Sequence, residues 1–257
     1  AARMLDIYCA PRSAVRRSSA EKEGRVAIET QWVLDDEHLT RLCAEWRQLP
    51  YVAVDTEFMR VDTFYPIAGL IQVGDGRRAY LIDPLSVRDW SAFAALLQDP
   101  AVVKVLHACS EDLEVLLRLT GSLPQPLFDT QLAAGYLNIG FSMGYSRLVQ
   151  AVLGIELPKG ETRSDWLQRP LSHMQVQYAA EDAQHLAELY EALLPKLSED
   201  KRAWVLEDGA ELVAKANPAV VRGFVKATIK GMKDAFANPA EAASIMAKYQ
   251  KELAPAI

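Results

Sequence analysis

The chain has 257 residues, half of them hydrophobic, with 28 Lys and Arg against 34 Asp and Glu, a formal charge of −6 and a pI near 5.4. This excludes a disordered chain and a basic protein that coats nucleic acid, and it predicts a packed core. Cys9, Cys43 and Cys109 lie far apart without a CxxC, excluding a disulfide framework or zinc cluster, and no apolar run reaches the roughly 18 residues of a membrane span.

The charge is uneven. Residues 1–27 carry six basic and three acidic side chains and residues 215–257 seven and three, leaving −13 on the segment between them. The first 27 residues lack helical or strand periodicity and read as a loosely structured leader without a secretory signal, so a cytoplasmic protein is expected. Asp35 or Asp36 can cap a helix with Leu39, Leu42, Cys43 and Trp46 at helical spacing. Residues 51–54, 69–75 and 79–84 then read as a three-stranded meander. Beyond it, Trp90–Leu97 is amphipathic, Val102–Leu106 is a buried strand, and Glu111–Leu119 is a helix with Ser110 as its cap. Asp129 can open a helix to Leu137, Tyr145–Leu153 forms another, and Ser172 caps a long helix through Leu193. Two ANPA units, at 216–219 and 237–240, each place an Asn cap before a helical Pro and predict two short helices. A meander followed by strand and helix alternation predicts an α/β domain, a mixed sheet flanked by helices.

Three acidic elements interrupt this apolar frame. In VDTEFMR, Asp55 and Glu57 are two apart on a strand and project together from its end, where two like charges repel unless a cation separates them. Alone, they read better as solvated acids at a strand end. In HACSEDLEVL, Asp112 falls in a first helical turn, where the helix dipole is as good a reason for it as metal ligation. In YAAEDAQHL, Tyr178 and Asp182 are four apart and share a helical face with Gln175 and His185.

Together with FDTQLAAGYL and ETRSDWLQRPL, in that order, these elements resemble the ribonuclease D family of DEDDy-type 3′-to-5′ exonucleases over residues 28–213. The resemblance implies a ribonuclease-H-like fold and two divalent ions, Mg²⁺ or Mn²⁺, held by Asp55, Glu57, Asp112 and Asp182. Hard cations of that kind take oxygen ligands. It further implies that Tyr178 hydrogen-bonds the attacking water, and that the substrate is RNA with a single-stranded 3′ end, tRNA precursors included, cut to 5′-monophosphates with no obligate protein partner. Asp129 reads equally as a carboxylate supporting the ligands and as a helix cap. Phe58 and Met59, which follow Glu57, and Lys159, Arg163, Trp166 and Arg169, which precede the Tyr178 helix, are candidate substrate contacts. Phe141 and Tyr145 flank a glycine loop beside them.

The rival readings are a DNA exonuclease, since the metal site does not read the 2′-hydroxyl, and a non-catalytic RNA-binding module on the same fold. Residues 214–257 depart from the family, whose helical HRDC repeats are absent. Residues 217–253 resemble instead a helical fragment of periplasmic substrate-binding proteins of the sulfonate, nitrate and thiamine-precursor transport type, which predicts a chimeric or truncated chain with weaker RNA grip.

Overall fold

The computed structural model describes residues 28–61, 63–157 and 164–249. The expected leader at 1–27 lies outside the described residues. The chain divides into two compact units, 1–213 and 214–257.

The first unit is built on a six-stranded mixed sheet ordered β1-β4-β3-β2-β5-β6. Its strands are β1 (Glu29–Val33), β2 (Tyr51–Met59), β3 (Ile67–Gly74), β4 (Arg78–Ile82), β5 (Val103–Leu106) and β6 (Leu127–Asp129). The meander pairs antiparallel, β2 with β3 and β3 with β4, while β1 joins β4 and β5 and β6 join β2 in parallel. Leu70, Ile71, Gln72 and Val73 are all buried in succession, as in a strand covered on both faces.

Helices α1 (Asp36–Trp46), α2 (Ser91–Leu97) and α3 (Ser110–Thr120) pack in a row, with α3 against β2 and β3. Asp35 caps α1 by accepting from the His38 amide at 2.7 Å. Helices α4 (Thr130–Tyr136) and α5 (Tyr145–Leu153) lie beside α6 (His173–Leu193), which crosses β2, β3, β4 and β5. Ser172 and Gln175 close a reciprocal capping box at the start of α6. After a short 3₁₀ turn at Leu194–Lys196, α7 (Glu199–Ala216) follows. In the second unit, α8 (Pro218–Ala237) is capped by Asn217 and α9 (Pro239–Tyr249) follows it.

The α/β class and mixed sheet are as expected, with several local corrections. Strand β2 runs five residues beyond Val54, so Asp55 and Glu57 lie within a strand. Ser110 is the first residue of α3, and its hydroxyl does not cap it. Strands β1 and β6 escaped the pattern because one is a half-exposed edge strand and the other has three residues. Helix α7 escaped because its buried stripe is only Val205, Gly209 and Val213, and α8 is 20 residues long where a short helix was expected.

Candidate active site

Strand alternation sets the first two acids. Ala53, Asp55 and Glu57 face one side of the sheet, and their antiparallel partners Gly74, Gln72 and Leu70 share that face. Helix α6 can lie close over them because its inward side is small, with Ala179, Ala180 and Ala183 all buried. At Gly74 the approach is tight enough that a Cβ would stand 2.4 Å from the Ala183 carbonyl oxygen, so glycine is required. The next inward residue, Asp182, thereby reaches the strand. One oxygen each from Asp55, Glu57 and Asp182 lie within 4.8 Å of one another. Asp112 comes from the first turn of α3, where its Oδ1 accepts from the Thr56 hydroxyl at 2.5 Å.

Burial makes this cluster costly to charge. It raises the Asp55 carboxyl well above the usual range, with the charges of Asp112 and Asp182 adding to the effect. Glu57 is pushed up to about 10 by burial and then by Asp55, Asp182 and Asp112. Burial lifts Asp112 to about 6 against the opposing hydrogen bond from Thr56. It lifts Asp182 to about 7, opposed by the hydrogen bond from Tyr178 and the charge of His185. Four acids that resist ionising together, offering only oxygen ligands, fit hard divalent cations, which would discharge that repulsion. Burial, and after it the charges of Asp182 and Glu57, raise the Tyr178 phenol, which therefore keeps its proton and acts as a donor.

Neighbouring residues fix the acids in place. Asp129 serves both roles open to it in the sequence. It caps α4 through the Gln131 and Leu132 amides, and it accepts from the amides of Ala108 and Cys109, both at 3.1 Å, so it holds the turn that delivers Asp112. That turn needs holding, since Ala108 has a left-handed φ of 50°. The His107 Nδ1 bonds the Thr130 hydroxyl at 2.9 Å, and burial lowers the ring's pKa, so it serves as a neutral core group. The Tyr145 hydroxyl donates to the Asp182 main-chain carbonyl at 2.6 Å. Two contributors carried no signal in the sequence: Thr56, whose bond to Asp112 joins residues 56 positions apart, and Gln72, fully buried across from Asp55 with neither amide atom partnered among the described residues.

The expected substrate contacts divide. Phe58 and Met59 are half-buried beside Glu57, and Met59, like Tyr178, packs against the core cluster that contains Trp166. Trp166 is 1% exposed, its ring 6.2 Å from that of Tyr178, and its backbone abuts Gly69 so closely that a Cβ there would stand 2.7 Å from the Trp166 carbonyl oxygen. Arg169 donates to both carboxylate oxygens of buried Asp83 and to the carbonyls of Gly69, Trp166 and Gln168. Both residues are thus spent inside the protein, where they fix the segment leading into α6; neither is presented to a ligand. Lys159 and Arg163 lie outside the described residues. Phe141 is almost wholly exposed.

Fold and site define an α/β domain with an all-carboxylate centre suited to divalent cations and a tyrosine donor one helical turn from the last acid. The sequence profile of the 3′-5′ exonuclease family matches residues 30–198, and the chain belongs to that family. It is 73% identical over 188 residues to a Ribonuclease D of Pseudomonas paraeruginosa, covering 73% of this chain and 50% of that protein. A Ribonuclease D of Haemophilus influenzae is 42% identical over 225 residues, covering 86% of this chain and 56% of the other. That coverage exceeds what residues 1–213 can supply, so the match enters the second unit. The crystal structure of Escherichia coli RNase D, described as an exoribonuclease involved in structured RNA processing, aligns with a TM-score of 0.69 at 40% identity over 74% of this chain and 51% of the other. The chain spans about half the length of the relatives it matches. The likeness to ribonuclease D expected from the motifs is borne out.

Proposed function

We propose that the chain is a 3′-to-5′ exoribonuclease that removes nucleotides one at a time from a single-stranded 3′ end as 5′-monophosphates. The observation that carries this reading is the convergence of Asp55, Glu57 and Asp182, with Asp112 held beside them by Thr56, in a buried place where their charges cannot stand unaided. These four residues would hold two divalent ions, which, when bound, neutralise charge on the attacking and leaving oxygens of a phosphodiester. The protein's own part is to fix the carboxylates and limit water. Tyr178 is kept protonated by its surroundings. Its single O–H, which donates to Asp182 in the metal-free fold, would turn to orient the nucleophilic water once the carboxylates hold cations, and its ring lies against that of Trp166. The Escherichia coli relative, described as an exoribonuclease involved in structured RNA processing, supports structured RNA as the substrate class, which we extend to RNAs with short 3′ tails, tRNA precursors among them.

The test offers a 3′-tailed RNA and a matched DNA to the protein with Mg²⁺, with Mn²⁺ and with EDTA. Metal-dependent release of 5′-mononucleotides from the RNA 3′ end is expected. No release with either metal refutes the reading, and equal rates on DNA remove its preference for RNA. Among the described residues no helix is long and apolar enough to cross a membrane.

A further inference from the structure

The connection between β2 and β3, which follows the strand that carries Asp55 and Glu57, puts aromatic surface into solvent. Phe64 is 84% exposed and Tyr65 47%, with Val61 and Ile67 exposed beside them. The two rings meet edge to face with centroids 4.8 Å apart. The Arg118 guanidinium lies 3.8 Å from the centre of the Tyr65 ring, a cation–π contact that fixes the phenol. Arg60, at the end of β2, pairs with Glu114. Arg118 and Glu114 both belong to α3, so the connection is tied twice to the helix that supplies Asp112, while β2 itself supplies Asp55 and Glu57. From Asp112 to Arg118 the helix rises only about 9 Å.

We propose that Phe64 and Tyr65, braced by Arg118, form a stacking platform for a base of the RNA strand lying at least two nucleotides 5′ to the one being removed. This rests on the exonuclease reading and adds a subsite to it. Exposed apolar side chains grouped at one turn mark a contact surface, and three features choose single-stranded nucleic acid as the occupant. The platform shares its two supporting elements with the carboxylates, so a strand whose 3′ end lies there has its upstream bases within reach. Ring stacking accepts every base, as an enzyme that removes each nucleotide in turn requires. Arg118, the cation on the Tyr65 ring, stands at this edge of a segment whose net charge is −13, where a phosphate backbone otherwise meets repulsion, while Arg60 is taken up by Glu114.

The experiment compares wild type, Phe64→Ala and Phe64→Trp on a dinucleotide and on a longer single-stranded oligoribonucleotide, with Mg²⁺. Loss of one stacked base predicts a KM about tenfold higher for Phe64→Ala on the long substrate at unchanged kcat. The dinucleotide, too short to reach the platform, should keep its KM, and Phe64→Trp should restore tight binding. An unchanged KM on the long substrate overturns the proposal, as does an equal rise on both substrates, which places Phe64 at the last two nucleotides. A variant whose only change is in oligomeric mass assigns the rings to a contact between copies and equally overturns it. Absence of hydrolysis by wild type refutes the exonuclease reading instead. The platform is then judged by fluorescence anisotropy of the labelled oligoribonucleotide in EDTA, where a Kd unaltered by Phe64→Ala disposes of it.

Discussion

The two units each contain an ion pair of nearly the same length. Arg169 meets Asp83 at 2.7 Å with side-chain exposures of 15% and 0%, and Lys230 meets Asp234 at 2.8 Å with exposures of 79% and 64%. The first pair is a buried clamp: Arg169 spans β3, β4 and the segment before α6, while Asp83 also accepts from the Leu85 amide and the Ser86 hydroxyl. The second joins successive turns of α8 in open solvent. The same contrast holds for apolar groups. The first unit buries continuous runs of β2, β3 and β4, whereas α8 buries none of its residues and leaves Val221, Val225, Ile229, Met232 and Phe236 exposed. Contact length says little about energy; what surrounds the contact decides it.

The sharpest break in this comparison lies at the acids. Asp182→Asn keeps the shape and removes the charge from the first unit's centre. A fall in kcat of about 10³-fold or more is expected, since a cation ligand supports several kcal/mol of transition-state stabilisation. Single-turnover rates at saturating Mg²⁺ measure it, and a change of less than tenfold would remove Asp182 from the ligands.

Next in size is the clamp. Arg169→Ala leaves the buried Asp83 carboxylate without its cation, at a cost of about 3 kcal/mol in denaturant unfolding. A loss below about 1 kcal/mol would mean that the pair behaves like a surface one.

The acids also give the first unit a pH signature. Asp112 and Asp182, lifted by burial to about 6 and about 7 from an ordinary 3.8, hold protons in the metal-free fold that the unfolded chain releases near pH 4. The stability this confers is complete below about pH 4 and is lost as pH rises through the folded values of about 6 and about 7. A divalent ion replaces those protons. At pH 8, Mg²⁺ at a hundred times its Kd should raise Tm by about 5–10 °C, and at pH 4.5 it should have little effect. An equal rise at both values would put the ion elsewhere. Smaller still, Lys230→Ala in α8 should barely move the denaturant midpoint, and any change should vanish at high salt.

Most of the element order, short of β1, β6 and α7, and the four acids and tyrosine of the candidate site were legible because acids stand out against apolar periodicity, and Tyr178 shares a helical face with Asp182. Trp166 and Arg169 misled because composition does not show which way a side chain turns. Arg169 finds its carboxylate 86 positions away in the loop after β4, a pairing created only when that loop and the segment before α6 meet. Thr56 and Gln72 owe their places to a neighbouring helix and to cross-strand register, neither of which local pattern encodes. Phe64 and Tyr65 draw no reading from the sequence, because only their solvent exposure sets them apart from buried apolar residues.

The smallest effect expected on catalysis is from removing residues 217–257, which spares α7. Every carboxylate of the site, Tyr178, and the Arg169 and Asp129 networks that hold them lie in the first unit, and among the described residues its core clusters are made of residues of that unit. The kcat on a dinucleotide should therefore stay within about twofold of the full chain. Two origins for the tail lead to different outcomes on longer RNA. A helical fragment of a foreign substrate-binding domain adds nothing, so KM should not move. A native extension, to which the Haemophilus influenzae match entering the second unit lends weight, would present Lys226, Lys230 and Lys233 to the phosphate backbone. In that case truncation should raise KM on the long substrate and flatten its salt dependence, about one counterion fewer per lost contact. Loss of hydrolysis on the dinucleotide itself would contradict the division into two units and make the tail part of the catalytic fold.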